Sequence, residues 1–80
     1  MTLEIVTPDK KVFSGEINAV TFPGSGGQFQ ILKDHAPIVS TLAQGDIVIE
    51  VGGKKESFVV DGGVLEVSNN NILVLAESIA

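Results

Sequence analysis

The sequence predicts an all-β fold: an antiparallel β-sandwich or flattened barrel of about eight to ten short strands. Three observations lead there. Apolar residues alternate with polar ones or form short runs along most of the chain, and turn residues interrupt those runs at close intervals. No segment of about ten or more residues carries the 3.6-residue period of an amphipathic helix.

The elements follow in order. "TLEIVT" (2–7) and "EINAVTF" (16–22) are rich in β-branched residues, and Pro8-Asp9 and Gly15 punctuate the stretch between them. Pro23-Gly24 closes the second run, and Gln28-Phe29-Gln30-Ile31-Leu32 reads as another strand up to Asp34. "DIVIEV" (46–51) alternates cleanly, with Ile47, Ile49 and Val51 on one face, after a break at Gln44-Gly45. Gly52-Gly53 then has the form of a two-residue hairpin, because both central residues accept positive φ. "SFVV" (57–60), "VLEV" (64–67) and "ILVLAE" (72–77) complete the set, separated by Asp61-Gly62-Gly63 and by Asn69-Asn70-Asn71. Asparagine tolerates the left-handed region better than most residues, so the triplet reads as a turn.

Composition bounds the function. Eighty residues form one domain spanning 1–80, and a chain of that size buries only about 60% of its unfolded surface. Its 44% hydrophobic content suffices for a compact core, drawn mostly from Ile, Val and Leu because Trp and Tyr are absent and Phe numbers four. With no Cys there is neither a disulfide nor a thiolate metal site, which fits a reducing compartment. A net charge of −5, with Lys10-Lys11 and Lys54-Lys55 as the only basic pairs, argues against nucleic acid. "MTLEIVTP" lacks the regions of a signal peptide, and the apolar run Ile72–Ala76 is far too short to span a bilayer. The expectation is a soluble intracellular domain.

"PGSGGQF" (23–29) places Phe29 where a dinucleotide-binding loop needs its third glycine, and it leads into a strand pattern instead of a helix. No Gly-Lys-Ser/Thr follows, and Gly24-Ser25-Gly26 lacks the spacing of a nucleophile elbow. His35 is the single histidine, too few for a metal centre without cysteine ligands. Catalysis by His35 would require Ser25 or Ser40 as nucleophile, and the adjacent Asp34 points to the opposite side in extended chain. His35 is therefore read as a structural or interface residue, in a corner stiffened by Pro37. Lys10 in "PDKK" supports a competing reading, a lipoyl- or biotinyl-type carrier domain, although such domains hold their acceptor lysine near mid-chain.

The order of "IVTPDKKVFSGEI", "TFPGSGGQFQIL", "HAP" and "DGGVLEVSNNNILVLAE" resembles the N-terminal β-sandwich of the epsilon subunit of F-type ATP synthase, the counterpart of the mitochondrial delta subunit. The resemblance spans nearly the whole chain. It implies a non-catalytic rotor component without a cofactor or metal. Such a component binds the gamma subunit of the central stalk, rests on the c-ring, and couples ion-driven rotation to ATP synthesis. Matched position by position, Thr7, His35 and Ser40 stand where the family faces gamma. Gly26 and Gln28, with Phe29 beside them, stand near the ring. Acidic residues are frequent in the family at positions 26 and 28, and Lys33-Asp34 replaces its usual Pro-Gly before His-Ala-Pro. The family's C-terminal helical hairpin, which can inhibit ATP hydrolysis, has no counterpart among these 80 residues; at a natural length of 80 the subunit would be limited to assembly and coupling, whereas a piece of a longer chain would imply nothing about regulation. The resemblance also implies a peripheral position on the cytoplasmic face of the bacterial inner or plasma membrane, touching the membrane only through the complex.

Overall fold

The computed structural model describes residues 1–80. Seven strands make up the chain: β1 (Thr2–Val6), β2 (Lys11–Glu16), β3 (Ala19–Gly24), β4 (Gly27–Leu32), β5 (Ile38–Val51), β6 (Lys54–Ser68) and β7 (Asn71–Ala76). They form one hydrogen-bonded sheet in the order β2-β1-β7-β6-β5-β3-β4. Its smallest extent is 19 Å, far more than one backbone layer, so the sheet folds over upon itself. Phe13 on β2 meets Phe58 on β6 edge to face at 5.8 Å, although those strands are not neighbours in the sheet. The result is a β-sandwich, as the period-two pattern indicates.

Two features differ from the sequence reading. There are seven strands instead of eight to ten, because β5 and β6 are 14 and 15 residues long. Gln44-Gly45 and Asp61-Gly62-Gly63 lie inside these strands as bends: Leu42 pairs with Gly63, Gln44 with Asp61 and Gly45 with Val60 straight across them. Glycine serves a bend as readily as a reversal, so the residues alone do not separate the two. The arrangement is also not purely antiparallel. β1 runs parallel to β7, pairing Thr2 with Asn71 through Val6 with Leu75, which joins the two ends of the chain.

The bent β5–β6 hairpin contributes to both layers. Its halves Ile38–Leu42 and Gly63–Ser68 continue the layer of β2, β1 and β7, while its other halves continue the layer of β3 and β4. Between them lies a single apolar core that includes Leu3, Ile5, Phe22, Ile31, Ile47, Ile49, Leu65 and Val74, each at most 1% exposed. No polar or charged residue is buried.

Local chemistry closes the turns as expected. Gly52 and Gly53 take φ of 57° and 80°, and Asn69 and Asn70 take 52° and 61°, the sign required at both centres of a tight hairpin turn. At the bends it is close approach that demands glycine. A Cβ on Gly45 would lie 2.8 Å from the Cβ of Pro23; one on Gly63 would overlap the Leu75 carbonyl oxygen and lie 3.0 Å from the Cα of Ala76. Neither obstacle to Gly63 is a flexible side-chain end, so the strand itself would have to move.

Two consequences are measurable by urea denaturation. Gly63→Ala is expected to cost more than about 3 kcal/mol, whereas Gly52→Ala, with open space around it, costs only about 1–2 kcal/mol of left-handed strain. Phe29 packs against Phe22 with ring centroids 5.8 Å apart and covers Gly24. Phe29→Ala should therefore cost about 2–4 kcal/mol, and the exposed Gln28→Ala less than about 0.5 kcal/mol.

Candidate functional site

Alternation along β1, β7, β6 and the first half of β5 sends Leu3, Ile5, Ile72, Val74, Leu65, Val67 and Leu42 inward. The complementary set must face outward, and in this layer much of it is apolar. Register places Val6, Leu75, Val64 and Thr41 in one row across four strands, and Glu4, Leu73, Glu66 and Val39 in the next. Val39 is 71% exposed, Leu75 51% and Val64 39%. With Leu73 and the stem of Glu66 they line a shallow apolar depression of about 150 Å³. Solvated sheet faces ordinarily carry polar residues, so clustered aliphatics there mark a surface suited to a protein partner.

The sequence-predicted gamma-facing residues border this face. Thr7 follows Val6 and shapes the β1–β2 turn: its amide donates to the Lys10 carbonyl (2.9 Å), and its hydroxyl accepts from the Lys10 amide (3.3 Å). Ser40 lies between Val39 and Thr41 but points to the other side of the strand, half-buried, its hydroxyl donating to the Thr41 carbonyl (3.2 Å). His35 sits in the exposed β4–β5 connection near the opposite end of the face from Thr7. Its neighbour Asp34 is hydrogen-bonded to Asn70, next to the Asn71–Thr2 pair.

Nothing around His35 assembles a catalytic group. Its Nδ1–H donates to the Ala36 carbonyl (2.7 Å), the Ser25 hydroxyl is shared with Thr41 (2.7 Å), and the Asp34 carboxylate accepts from the Asn70 amide (3.0 Å). A larger open groove, about 540 Å³, adjoins the apolar depression on its β1–β2 side, sharing Glu66 and Leu73 with it and bordered further by Glu4 and Glu16. No three His, Cys, Asp or Glu side chains converge as metal ligands, and no helix is long and apolar enough to cross a membrane.

The candidate ring-facing residues lie on the β3–β4 hairpin. Gly26 is at its exposed tip and Gln28 is exposed on β4, while Phe29 is half-buried and spent on packing. The tip is stitched to β5: the Ser25 amide donates to the Thr41 carbonyl (3.3 Å) beside the hydroxyl pair. The β3–β4 hairpin and the apolar face thus meet at Thr41. The sequence reading did not single out Val39, Val64, Leu73 and Leu75 as a surface. The available signal was that "VLEV" and "ILVLA" are apolar at both parities, more than one buried face consumes.

Lys10, the carrier-type candidate, lies in the exposed β1–β2 turn that Thr7 closes. Comparison with known proteins points elsewhere. Residues 1–80 match the family described as ATP synthase, Delta/Epsilon chain, beta-sandwich domain. The ATP synthase epsilon chain of Chlorobaculum tepidum is 45% identical over 80 residues, covering 99% of this chain and 91% of the relative. That of Desulforamulus reducens is 47% identical over 76 residues, covering 95% of this chain and 58% of the relative. Among solved structures, a chain of the Euglena gracilis mitochondrial ATP synthase (OSCP/F1/c-ring in rotational state 1) superposes with a TM-score of 0.91 at 26% identity, over 98% of this chain and 51% of its own. The Tetrahymena thermophila mitochondrial ATP synthase central stalk/c-ring structure contains a chain with the same fold, TM-score 0.82 at 18% identity. This chain therefore spans nearly all of some curated relatives and somewhat more than half of others, and it belongs to the β-sandwich family of ATP synthase delta and epsilon chains.

Proposed function

We propose that this chain is a non-catalytic rotor subunit of an F-type ATP synthase, which binds the gamma subunit and the c-ring and couples ion-driven rotation to ATP synthesis. The observation that carries the reading is the apolar outer face of Val39, Val64, Leu73 and Leu75 on a domain of this family. Gamma docks on that face, with Thr7 and His35 bordering its two ends and Ser40 on the strand that carries Val39. The β3–β4 hairpin, through Gly26 and Gln28 and held in shape by Phe29, rests on the ring. Position 28 carries no charge here, so that contact depends on shape and neutral hydrogen bonds instead of a salt bridge. The subunit is peripheral, on the cytoplasmic face of a bacterial membrane, and reaches the membrane only through the complex.

Torque transmission requires stiffness, and the construction supplies it. The ring-side hairpin is tied to β5 at Thr41, two residues from Val39 on the gamma side. A load at the tip passes through strand ladders with a shared core behind them, not through a loop.

Co-purification with the cognate gamma subunit, followed by titration, tests the docking assignment. Val39→Glu and Leu75→Glu should leave the fold intact, because both positions are already exposed, yet weaken gamma binding tenfold or more through a desolvated, unpaired charge (about 1.4 kcal/mol or more). His35→Glu and Ser40→Arg are expected to weaken it as well, and Gln28→Ala to leave it unchanged. Normal binding by both Val39→Glu and Leu75→Glu would move the gamma site to another face.

A further inference from the structure

The connection that carries His35 has no strand partner, and residues 33–37 are all exposed. On its C-terminal side Pro37 fixes its own φ and holds Ala36 extended. On its N-terminal side the chain passes through Asp34 at φ 66°, a left-handed conformation that costs a non-glycine residue on the order of 1 kcal/mol and needs outside support to persist. That support comes from 36 residues away. The Asp34 amide donates to Asn70 Oδ1 (2.6 Å), and Asn70 Nδ2 donates back to Asp34 Oδ1 (3.0 Å). Asn70 is itself fixed in the β6–β7 turn at φ 61°, with its carbonyl accepting from the Thr2 amide (2.9 Å). The segment's other hydrogen bonds are short-range: the His35 amide to the Leu32 carbonyl, 3.2 Å, and the His35 ring Nδ1–H to the Ala36 carbonyl, 2.7 Å.

We infer that Asn70 is a positioning residue for partner docking: its reciprocal pair with Asp34 clamps the His35-Ala36-Pro37 corner to the β1–β7 frame, and so sets the corner against the apolar face. The inference rests on the reading of that corner as part of the gamma-facing surface. Asn70 acts through the backbone of Asp34. It holds the left-handed residue from which the corner leaves β4, while Pro37 holds the end at which the corner enters β5. Without Asn70, Asp34 relaxes to negative φ and the His35 side chain swings away from the face. The two partners are not equivalent. The bond that holds the backbone uses the Asp34 amide, which glycine retains, and glycine holds φ 66° without strain. Removing the Asp34 side chain therefore leaves the clamp's backbone bond intact, whereas removing the Asn70 side chain abolishes both.

The test compares the wild-type chain with Asn70→Gly and Asp34→Gly, each titrated against the cognate gamma subunit. Amide hydrogen exchange at residue 34 and thermal unfolding are followed alongside. Glycine at position 70 keeps the positive φ of the turn, so the lost amide is the variable. Expected results are roughly tenfold weaker binding for Asn70→Gly, with fast exchange at residue 34, and binding within about threefold of wild type for Asp34→Gly. Both melting temperatures should stay within about 4 °C of wild type. If wild type and Asn70→Gly bind gamma equally, the clamp has no docking role and the gamma-facing reading stands. Losses in both variants that track falling melting temperature would make the pair a stability element only, and overturn the inference. If the wild-type chain fails to bind gamma at all, the docking reading falls and the inference with it.

Discussion

The architecture depends on β5 and β6 bending together. A straight hairpin of that length would leave one broad sheet with an apolar face in water. The bend lets a single hairpin serve two layers that enclose Phe22, Ile31, Ile47, Ile49, Leu65 and Val74 between them. It depends on missing atoms. Gly45 makes room for Pro23, and Gly63 lets β6 pass close to the backbone of β7 at Leu75 and Ala76. Because ladder pairing continues across the bend, the two layers are mechanically one sheet and need no linker between them.

Everything outside the core follows from which parity of each strand the fold consumes. In the β1–β7–β6–β5 layer one parity fills the interior, and the other leaves Val39, Val64, Leu73 and Leu75 beside Glu4 and Glu66. No ionisable group is buried, and His35 and the serine hydroxyls near the face are engaged with their own chain or with Thr41. A surface of clustered, exposed aliphatics favours recognition by shape. Adhesion of that kind fits the proposed role of holding the gamma subunit.

Rigidity is supplied locally by residues that tolerate unusual backbone. Gly52-Gly53 and Asn69-Asn70 reverse the chain in two residues, and Ser25 ties the β3–β4 tip to Thr41. Asp34 uses a distant asparagine to hold a conformation that glycine would adopt unaided. The polar stitches Ser25–Thr41 and Asp34–Asn70 are exposed and individually weak, yet each spans a segment that no strand ladder reaches.

The sequence by itself determined the all-β class, the shared face of Ile47 and Ile49, and both glycine and asparagine hairpins, because side-chain period and φ preference are local properties. The motif order identified the family, and the same residues ruled out loops and triads whose spacing is local. Tertiary structure alone decided that Gln44-Gly45 and Asp61-Gly62-Gly63 are bends and not reversals, that β1 lies parallel to β7, and that the outward aliphatics of three strands form one surface. Each of these depends on pairing between residues far apart in the chain: Leu42 with Gly63, Thr2 with Asn71, Val64 with Leu75 and Thr41. A glycine is equally free to turn or to bend, and which it does is settled by the strand that lies against it.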